Sequence, residues 1–227
     1  MEPLIQISII IPVFGNEKTL KKLTQQITSS LEKLTFEIIF VNDASTDNSL
    51  DLIIELSQNY SQIKYLNLSE NKGQQLAILE GMRIAIGEKI VVLDADLQDN
   101  PIHIKQLLGL HNNSGEAIFI LREGIYQSLP RMITSILLKI IIQGFSGLNY
   151  KAGSYYLTDR KTIANVIPIA SKCSFPYLSI LVAFQAHQIK YLKAKRGKNY
   201  GNSGYNFTKR LLAGYRAIRC CLFCHLN

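Results

Sequence analysis

Four short apolar runs, Ile7 to Val13, Phe36 to Val41, Ile63 to Leu68 and Ile90 to Leu93, restrict this chain more than any other feature, because the segments between them carry helical spacing. Each run is too short for a helix, is rich in apolar β-formers and reads as a strand covered on both faces. After the first, Leu20, Leu23, Ile27, Leu31 and Leu34 recur at helical intervals among lysines and polar residues. A second helix is expected from the polar segment Asn42 to Asp47 as far as about Tyr60, and a third from Gln74 to Ile86, where small Ala77, Gly81 and Ala85 permit close packing. Strand and helix alternating through short connections is the pattern of right-handed crossover units. The expected fold is therefore α/β, a mainly parallel central sheet with helices on both faces.

The fourth run ends in a burst of acid, Leu93-Asp94-Ala95-Asp96-Leu97-Gln98-Asp99, at the C-terminal end of a strand, where open α/β sheets place their ligands. Two oxygen donors around one small residue suit a hard divalent cation that also holds phosphate oxygens. The alternative is that these acids solvate a loop and that Asn100 caps a helix opened by Pro101. Neither Gly-x-Gly-x-x-Gly nor Gly-x-x-x-x-Gly-Lys-Ser/Thr occurs, which argues against dinucleotide oxidoreductases and P-loop enzymes. A diphosphate has to be held another way.

With 227 residues, 47% of them hydrophobic, one domain with a sizeable core is expected. The formal net charge of +8 divides unevenly: residues 1–121 hold 9 Lys+Arg against 15 Asp+Glu, net −6, and residues 122–227 hold 16 against 2, net +14. An acidic half can host a metal, and a basic half can meet phosphates or an anionic membrane surface. Nucleic acid is set aside as a partner, since no recognition module is present. Cys173, Cys220, Cys221 and Cys224 make no disulfide framework, and the opening Met-Glu-Pro-Leu-Ile-Gln has no signal character, so a cytoplasmic protein with reduced thiols is expected.

In the second half, Ala117 to Leu121 reads as a strand ending at Arg122. Arg131 precedes an apolar helix, Met132 to Phe145, that is shorter than the ~20 residues of a bilayer span and is either buried or laid in the headgroup region. A helix from Phe175 to Gln188, a strand from Ile189 to Leu192 and a glycine-rich basic loop from Lys195 to Tyr205 follow. Asn206 to Leu226 reads as a basic amphipathic helix, with Lys209, Arg210, Arg216 and Arg219 among apolar residues.

The strand ends together resemble a known family. Pro12-Val13-Phe14 with Glu17, Asn42-Asp43-Ala44-Ser45 with Asp47, Asn71 with Gly73 and Ala77, and above all Leu93 to Asp99 are similar to the inverting family 2 glycosyltransferases, in the branch of dolichyl-phosphate mannose synthase and the bacterial polyprenyl-phosphate sugar transferases. The resemblance implies the GT-A (nucleotide-diphospho-sugar transferase) fold, a nucleotide-sugar donor, a polyprenyl phosphate acceptor and Mg²⁺ or Mn²⁺. Carried over by residue, it implies a donor site of Pro12, Phe14, Glu17, Asp43, Asn71, Gly73 and Asp94, a metal held by Asp94 and Asp96, and catalytic roles for these two with Gln98. The acceptor phosphate falls to Arg122, Arg131, Lys198 and Ser203, with Gly201 and Tyr205 completing a loop that closes over the diphosphate. Residues 1–205 then form one domain, its donor half about 1–121 and its acceptor half about 122–205, followed by the helix 206–227. Peripheral association with the cytoplasmic face of a membrane is expected, with a membrane-protein partner or a second copy of the chain as further partners.

The departures are informative. The family's Pro-x-Tyr-Asn-Glu turn appears as Pro12-Val13-Phe14-Gly15-Asn16-Glu17, so the donor contact falls to Asn16 or Glu17. Ser154 stands where relatives have an acid, and Ser171 to Leu181 holds no Glu-Asp base pair. A hydroxyl acceptor needs a general base, whereas a phosphate monoester is already anionic near neutral pH. Asp159 offers an acid nearby, or simply starts the helix after it. Transfer to a glycan hydroxyl, and a non-catalytic membrane-associated binding protein of the same fold, remain the alternatives.

Overall fold

A computed structural model of the protein describes residues 5–123, 140, 142–197 and 207–226. Seven strands form one sheet: β1 (Ile7–Val13), β2 (Phe36–Asn42), β3 (Ile63–Asn67), β4 (Lys89–Val92), β5 (Glu116–Glu123), β6 (Ala152–Asp159) and β7 (Gln188–Lys195), in the order β3-β2-β1-β4-β6-β5-β7. The helices are α1 (Glu17–Ser30), α2 (Ser49–Asn59), α3 (Gln74–Ile84), α4 (His103–Leu110), α5 (Arg160–Lys172), α6 (Leu178–Gln185) and α7 (Phe207–Leu226). All strand pairs are parallel except those of β6, which runs against both β4 and β5.

Alternation along the strands divides the core in two. Ile9, Ile11, Ile38 and Phe40 point to the side of Leu20, Leu23, Ile27, Ile53 and Ile104, from α1, α2 and α4. Ile10, Ile39 and Val41 point to the side of Ala77, Met82, Ile163, Leu181 and Ala217, from α3, α5, α6 and α7. Both faces of the sheet are covered, as runs of apolar residues without polar alternation require.

The small residues of α3 let it approach the sheet. A Cβ on Gly81 would lie 2.5 Å from the Ile10 Cγ2 and 3.2 Å from the Val41 Cγ2. Gly81→Ala should therefore lower stability, since overpacking costs about 1–3 kcal/mol and exceeds the ~1 kcal/mol of helix propensity that alanine adds. Urea denaturation checks this: the midpoint is expected to fall, and a raised midpoint would show that α3 can slide outward freely.

Three elements differ from the sequence reading. Strand β6 was not foreseen, because only Tyr155-Tyr156-Leu157 is apolar there, between Gly153-Ser154 and Thr158-Asp159; the strand is nevertheless central, with Tyr155 and Tyr156 buried toward opposite cores, and Asp159 at its end starts helix α5, the second of the two readings given for that acid. The helix expected from Phe175 to Gln188 spans only Leu178–Gln185, because Gln188 already pairs with Glu116 and β7 continues to Lys195. Asn100 receives the N–H of Ile102 in a turn, and α4 begins one residue later, at His103. Of the apolar segment Met132 to Phe145, residues 132–139 and 141 lie outside the described residues.

Candidate active site

The sheet order reverses between β1 and β4, the kind of switch point at which α/β sheets bind ligands beyond their carboxyl ends. The acid turn leaves β4 there. Because β6 is antiparallel, its N-terminal residues lie beside the C-terminal ends of the parallel strands, and the pairing Val92↔Tyr156 puts Ser154 across from Asp94. Strand β5 brings Arg122 to the same edge, paired with Ala194 of β7, and Arg196 follows two residues later. Four adjacent strands thus deliver Asp94, Ser154, Arg122 and Arg196 to one place.

Arg122 is the buried centre of this cluster. Its Nη2 donates to Asp99 Oδ2 at 2.6 Å, to Asp94 Oδ2 at 2.9 Å and to the Ser154 Oγ at 3.3 Å. The guanidinium lies against Gly153, where a Cβ would come within 2.5 Å of its Cζ. Burial alone would favour the neutral form, but the flanking Asp99 and Asp94 carboxylates hold Arg122 firmly charged, with its pKa raised. Ser154 donates its hydroxyl to Asp94, 2.8 and 2.7 Å from the two oxygens, and Gln74 Nε2 donates to Asp94 Oδ1 at 2.7 Å. Both oxygens of Asp94 are engaged.

Asp96 differs. Its Oδ1 accepts the Gln98 N–H at 3.0 Å, and its side chain is 30% exposed against 14% for Asp94. Burial, then repulsion from Asp94, raises its pKa above the usual carboxylate range, against the pull of the Gln98 N–H and Arg196. Leu97 turns the chain in the left-handed region, φ 59°, a conformation that concentrates at functional turns in a non-glycine residue. Gln98 itself is buried, and its carbonyl accepts the Gly197 N–H at 2.8 Å. Carboxylate oxygen is the donor a hard divalent ion takes, and Asp96 is the more open of the two acids; among the described residues no group of three or more His, Cys, Asp or Glu side chains is assembled around it, so a diphosphate would have to supply further oxygens.

Around it stands the rest of the sequence-predicted site. Asp43, buried at the end of β2, accepts the backbone N–H groups of Lys72 at 2.7 Å and Gly73 at 2.9 Å, while Asn71 Nδ2 donates to the Asp43 carbonyl. Its carboxylate thus organises the turn into α3, from which Gln74 reaches Asp94. Pro12 is buried within β1, and Phe14 at its end is 53% exposed. Glu17 Oε2 accepts the Asn48 N–H at 3.0 Å, fastening α1 to the β2–α2 loop, and the Thr19 hydroxyl fastens it to the Ala95 carbonyl at 2.7 Å. Asp47 accepts N–H groups of Glu17 and Ser49; although burial acts to raise its pKa, hydrogen bonds led by Ser49 outweigh that and lower it.

The structure brings Asp94, Asp96, Gln98 and Arg122 together, with Asp43, Asn71 and Gly73 linked to them through Gln74. Arg131, Lys198 and Ser203 lie outside the described residues, as do Gly201 and Tyr205. Asp159 sits at the opposite end of β6: its Oδ1 caps α5 through Thr162, and its Oδ2 accepts the Gly115 N–H. The sequence reading gave no role to Gln74, Asp99 or Arg196. Asp99 stands in the acid string and Arg196 in the glycine-rich basic loop, but nothing local to Gln74 marks it, since the entry into α3 brings it in.

A sequence profile described as "Glycosyl transferase family 2" matches residues 8–178. The undecaprenyl-phosphate 4-deoxy-4-formamido-L-arabinose transferases of Salmonella choleraesuis (strain SC-B67) and Salmonella newport (strain SL254) are each 30% identical to this chain over 96% of its length and 68% of theirs. Among solved structures, a glucosyl-3-phosphoglycerate synthase from Mycobacterium tuberculosis in complex with Mn²⁺, UDP and glucosyl-3-phosphoglycerate shares the fold at a TM-score of 0.67 and 15% identity, over 97% of this chain and 80% of that one. S. aureus TarS in complex with UDP-GlcNAc does so at 0.65 and 18%, over 98% and 67%. These structures share the GT-A fold with this chain. The profile spanning the acid turn, with relatives aligned over nearly the whole chain, establishes that this protein belongs to glycosyl transferase family 2.

Proposed function

We propose that the protein moves a sugar from a UDP-type nucleotide donor to a polyprenyl phosphate at the cytoplasmic face of a membrane, with inversion at the anomeric carbon. The observation that supports this best is the acid turn, where Asp96 presents an open carboxylate beside an Asp94 fixed by Arg122, Ser154 and Gln74. Mg²⁺ or Mn²⁺ held by Asp96, with Asp94 beside it, would neutralise the charge that develops on the leaving nucleoside diphosphate. Asp43 shapes the donor turn through Lys72 and Gly73, and exposed Phe14 offers a face to the nucleoside. Ser154, a hydroxyl where the family has an acid, donates to Asp94 and is no base. Asp159, tied into the start of α5, is no base for this site either. An acceptor that arrives ionised fits this arrangement.

The relatives' names identify undecaprenyl phosphate as their acceptor, and it is the lipid to offer first. Incubating the protein with undecaprenyl phosphate, Mn²⁺ and a panel of UDP-sugars that includes UDP-4-deoxy-4-formamido-L-arabinose should give one or more glycosylated lipids. No transfer from any donor, by a protein shown to bind UDP, would favour the binding-protein alternative.

The membrane arm rests on α7. No helix among the described residues is long and apolar enough to cross a bilayer. Helix α7 buries Ala217, Cys220 and Cys221 in the core and exposes Leu212, Tyr215, Arg216, Arg219 and Leu222 on its other side. Apolar and cationic residues mixed on one exposed face suit an interface with anionic lipid, where each cation is worth about 1 kcal/mol. Arg216→Gln with Arg219→Gln should therefore lower binding to vesicles of anionic lipid about tenfold or more and leave UDP binding unchanged. Equal binding of wild type and variant to anionic vesicles would remove α7 from the docking surface.

A further inference from the structure

The donors to the Asp94 carboxylate do not hold its two oxygens alike. Arg122 Nη2 donates to Oδ2 at 2.9 Å. The Ser154 hydroxyl lies 2.8 Å from Oδ1 and 2.7 Å from Oδ2, but a hydroxyl has a single proton and serves one oxygen at a time. Gln74 Nε2 donates to Oδ1 at 2.7 Å, and among the described residues it is the donor given over to that oxygen. Without it the carboxylate would be pinned at Oδ2 and only shared at Oδ1, free to turn about the pinned end.

The backbone behind that amide is well secured. Gln74 opens α3 and is entered through Gly73 at φ 87°. The N–H groups of Lys72 and Gly73, just before it, meet the two oxygens of Asp43 at the end of β2. On its other side Gln75 Oε1 accepts the Leu178 N–H of α6 at 2.7 Å, and Gly81 seats the helix against Ile10 and Val41. Gln74 is therefore fixed to β2, to α6 and to the sheet, and its amide carries that position to Asp94. The residue is itself exposed, so packing does not account for its bond to a carboxylate twenty residues away.

We propose that Gln74 is a positioning residue for the donor: its amide sets the direction of the Asp94 carboxylate and ties it to the turn that Asp43 organises, so that one preorganised edge meets the nucleoside diphosphate. The inference rests on the reading of this edge as the donor site. A carboxylate already turned to its bound direction loses little freedom when the donor arrives, and less of the interaction is then spent on ordering the site.

UDP titration of the full chain with Mn²⁺ present, followed by calorimetry, tests this with no dependence on turnover. Gln74→Ala should bind UDP about tenfold more weakly than wild type, the scale of one hydrogen bond to a charged group. It should melt at the same temperature, since alanine is favourable in a helix and the side chain it replaces is exposed. In an Asp94→Ala background, which lacks the acceptor, adding Gln74→Ala should change UDP affinity by less than about twofold. An undiminished loss in that background would show that Gln74 acts without Asp94 and would overturn the inference. Gln74→Glu keeps the length but replaces the donor with a like charge, and should bind UDP more weakly than Gln74→Ala. Should Asp94→Ala fail to fold or to bind UDP, equal or tighter binding by Gln74→Glu than by Gln74→Ala overturns the inference in its place. In transfer assays Gln74→Ala should raise the donor KM and leave that of undecaprenyl phosphate unchanged; an equal rise in both marks a general loosening of the site and counts against a positioning role. Equal UDP affinity in wild type and Gln74→Ala overturns the inference while leaving the donor site in place. If the wild type binds no UDP, both the inference and the donor reading fall.

Discussion

Asp96→Asn should lower sugar transfer about a thousandfold or more and leave the protein folded. Neutralising the leaving diphosphate contributes several kcal/mol to the barrier, and each 1.36 kcal/mol is about tenfold in rate. An amide keeps the shape of the acid turn but supplies a weak neutral ligand. The fold should survive because Asp96 is partly exposed and, among the described residues, accepts the local N–H of Gln98 rather than a bond from another element. Its raised pKa adds a sign that can be checked. A carboxyl whose pKa is higher folded than unfolded loses stability as pH rises through that window, so ionised Asp96 is a net cost at neutral pH without metal. Asp96→Asn should accordingly melt no lower than wild type in metal-free buffer at pH 7, and cation affinity of wild type should fall on acidification sooner than for an exposed aspartate. Melting curves beside rate measurements separate the outcomes; a folded variant with full activity removes Asp96 from the chemistry.

Arg122→Met should produce the largest loss of stability. Arg122 is flanked by Asp94 and Asp99 at 2.9 and 2.6 Å and is largely buried, and Asp99 is almost wholly so. Removing one member of a buried ionic cluster leaves its partners uncompensated and costs about 3–5 kcal/mol. For a chain of this size that is a fall of roughly 10 °C in melting temperature. The loss should be partly repaired by adding Asp99→Asn, since removing both partners of a buried pair costs less than removing one. Arg122→Lys should repair little, because one ammonium cannot reproduce the planar fork that spans two carboxylates. An unchanged midpoint for Arg122→Met would mean that Asp94 and Asp99 find other donors, and Arg122 would return to the role of acceptor-phosphate ligand.

What was legible in the sequence follows from where information is local. Ile7 to Val13 and Phe36 to Val41 are continuous apolar runs because both faces of the sheet are covered, and the amphipathic spacing from Leu20 to Leu34 lies wholly within one helix and the turn after it. The acids at the end of β4 stand next to their strand, so their place at the ligand edge could be read directly. Strand β6 could not be, because its ends are polar and its partners lie on β4 and β5, far off in sequence. With it went the neighbours of Asp94: Ser154 arrives by antiparallel register, and Gln74 by the packing of α3. Arg122 stood out as a cation at a strand end and, through the family resemblance, as a ligand of the acceptor phosphate, but nothing near it in sequence shows that it lies against two carboxylates. Its burial depends on two carboxylates and on the missing side chain of Gly153. Asp43 was read as facing the nucleoside; that both of its oxygens also accept the backbone N–H groups of Lys72 and Gly73 was not legible, since the contact needs α3 in place.

The most direct measurement is the mass of the lipid product when undecaprenyl phosphate and undecaprenol are offered together with an accepted UDP-sugar and Mn²⁺. The expected product is undecaprenyl phosphate enlarged by one sugar residue, with undecaprenol untouched, because the site relies on an acceptor that arrives already ionised. Sugar found on undecaprenol, or on a glycan hydroxyl in preference to the lipid phosphate, would contradict the proposed reaction and demand a general base that neither Ser154 nor Asp159 supplies.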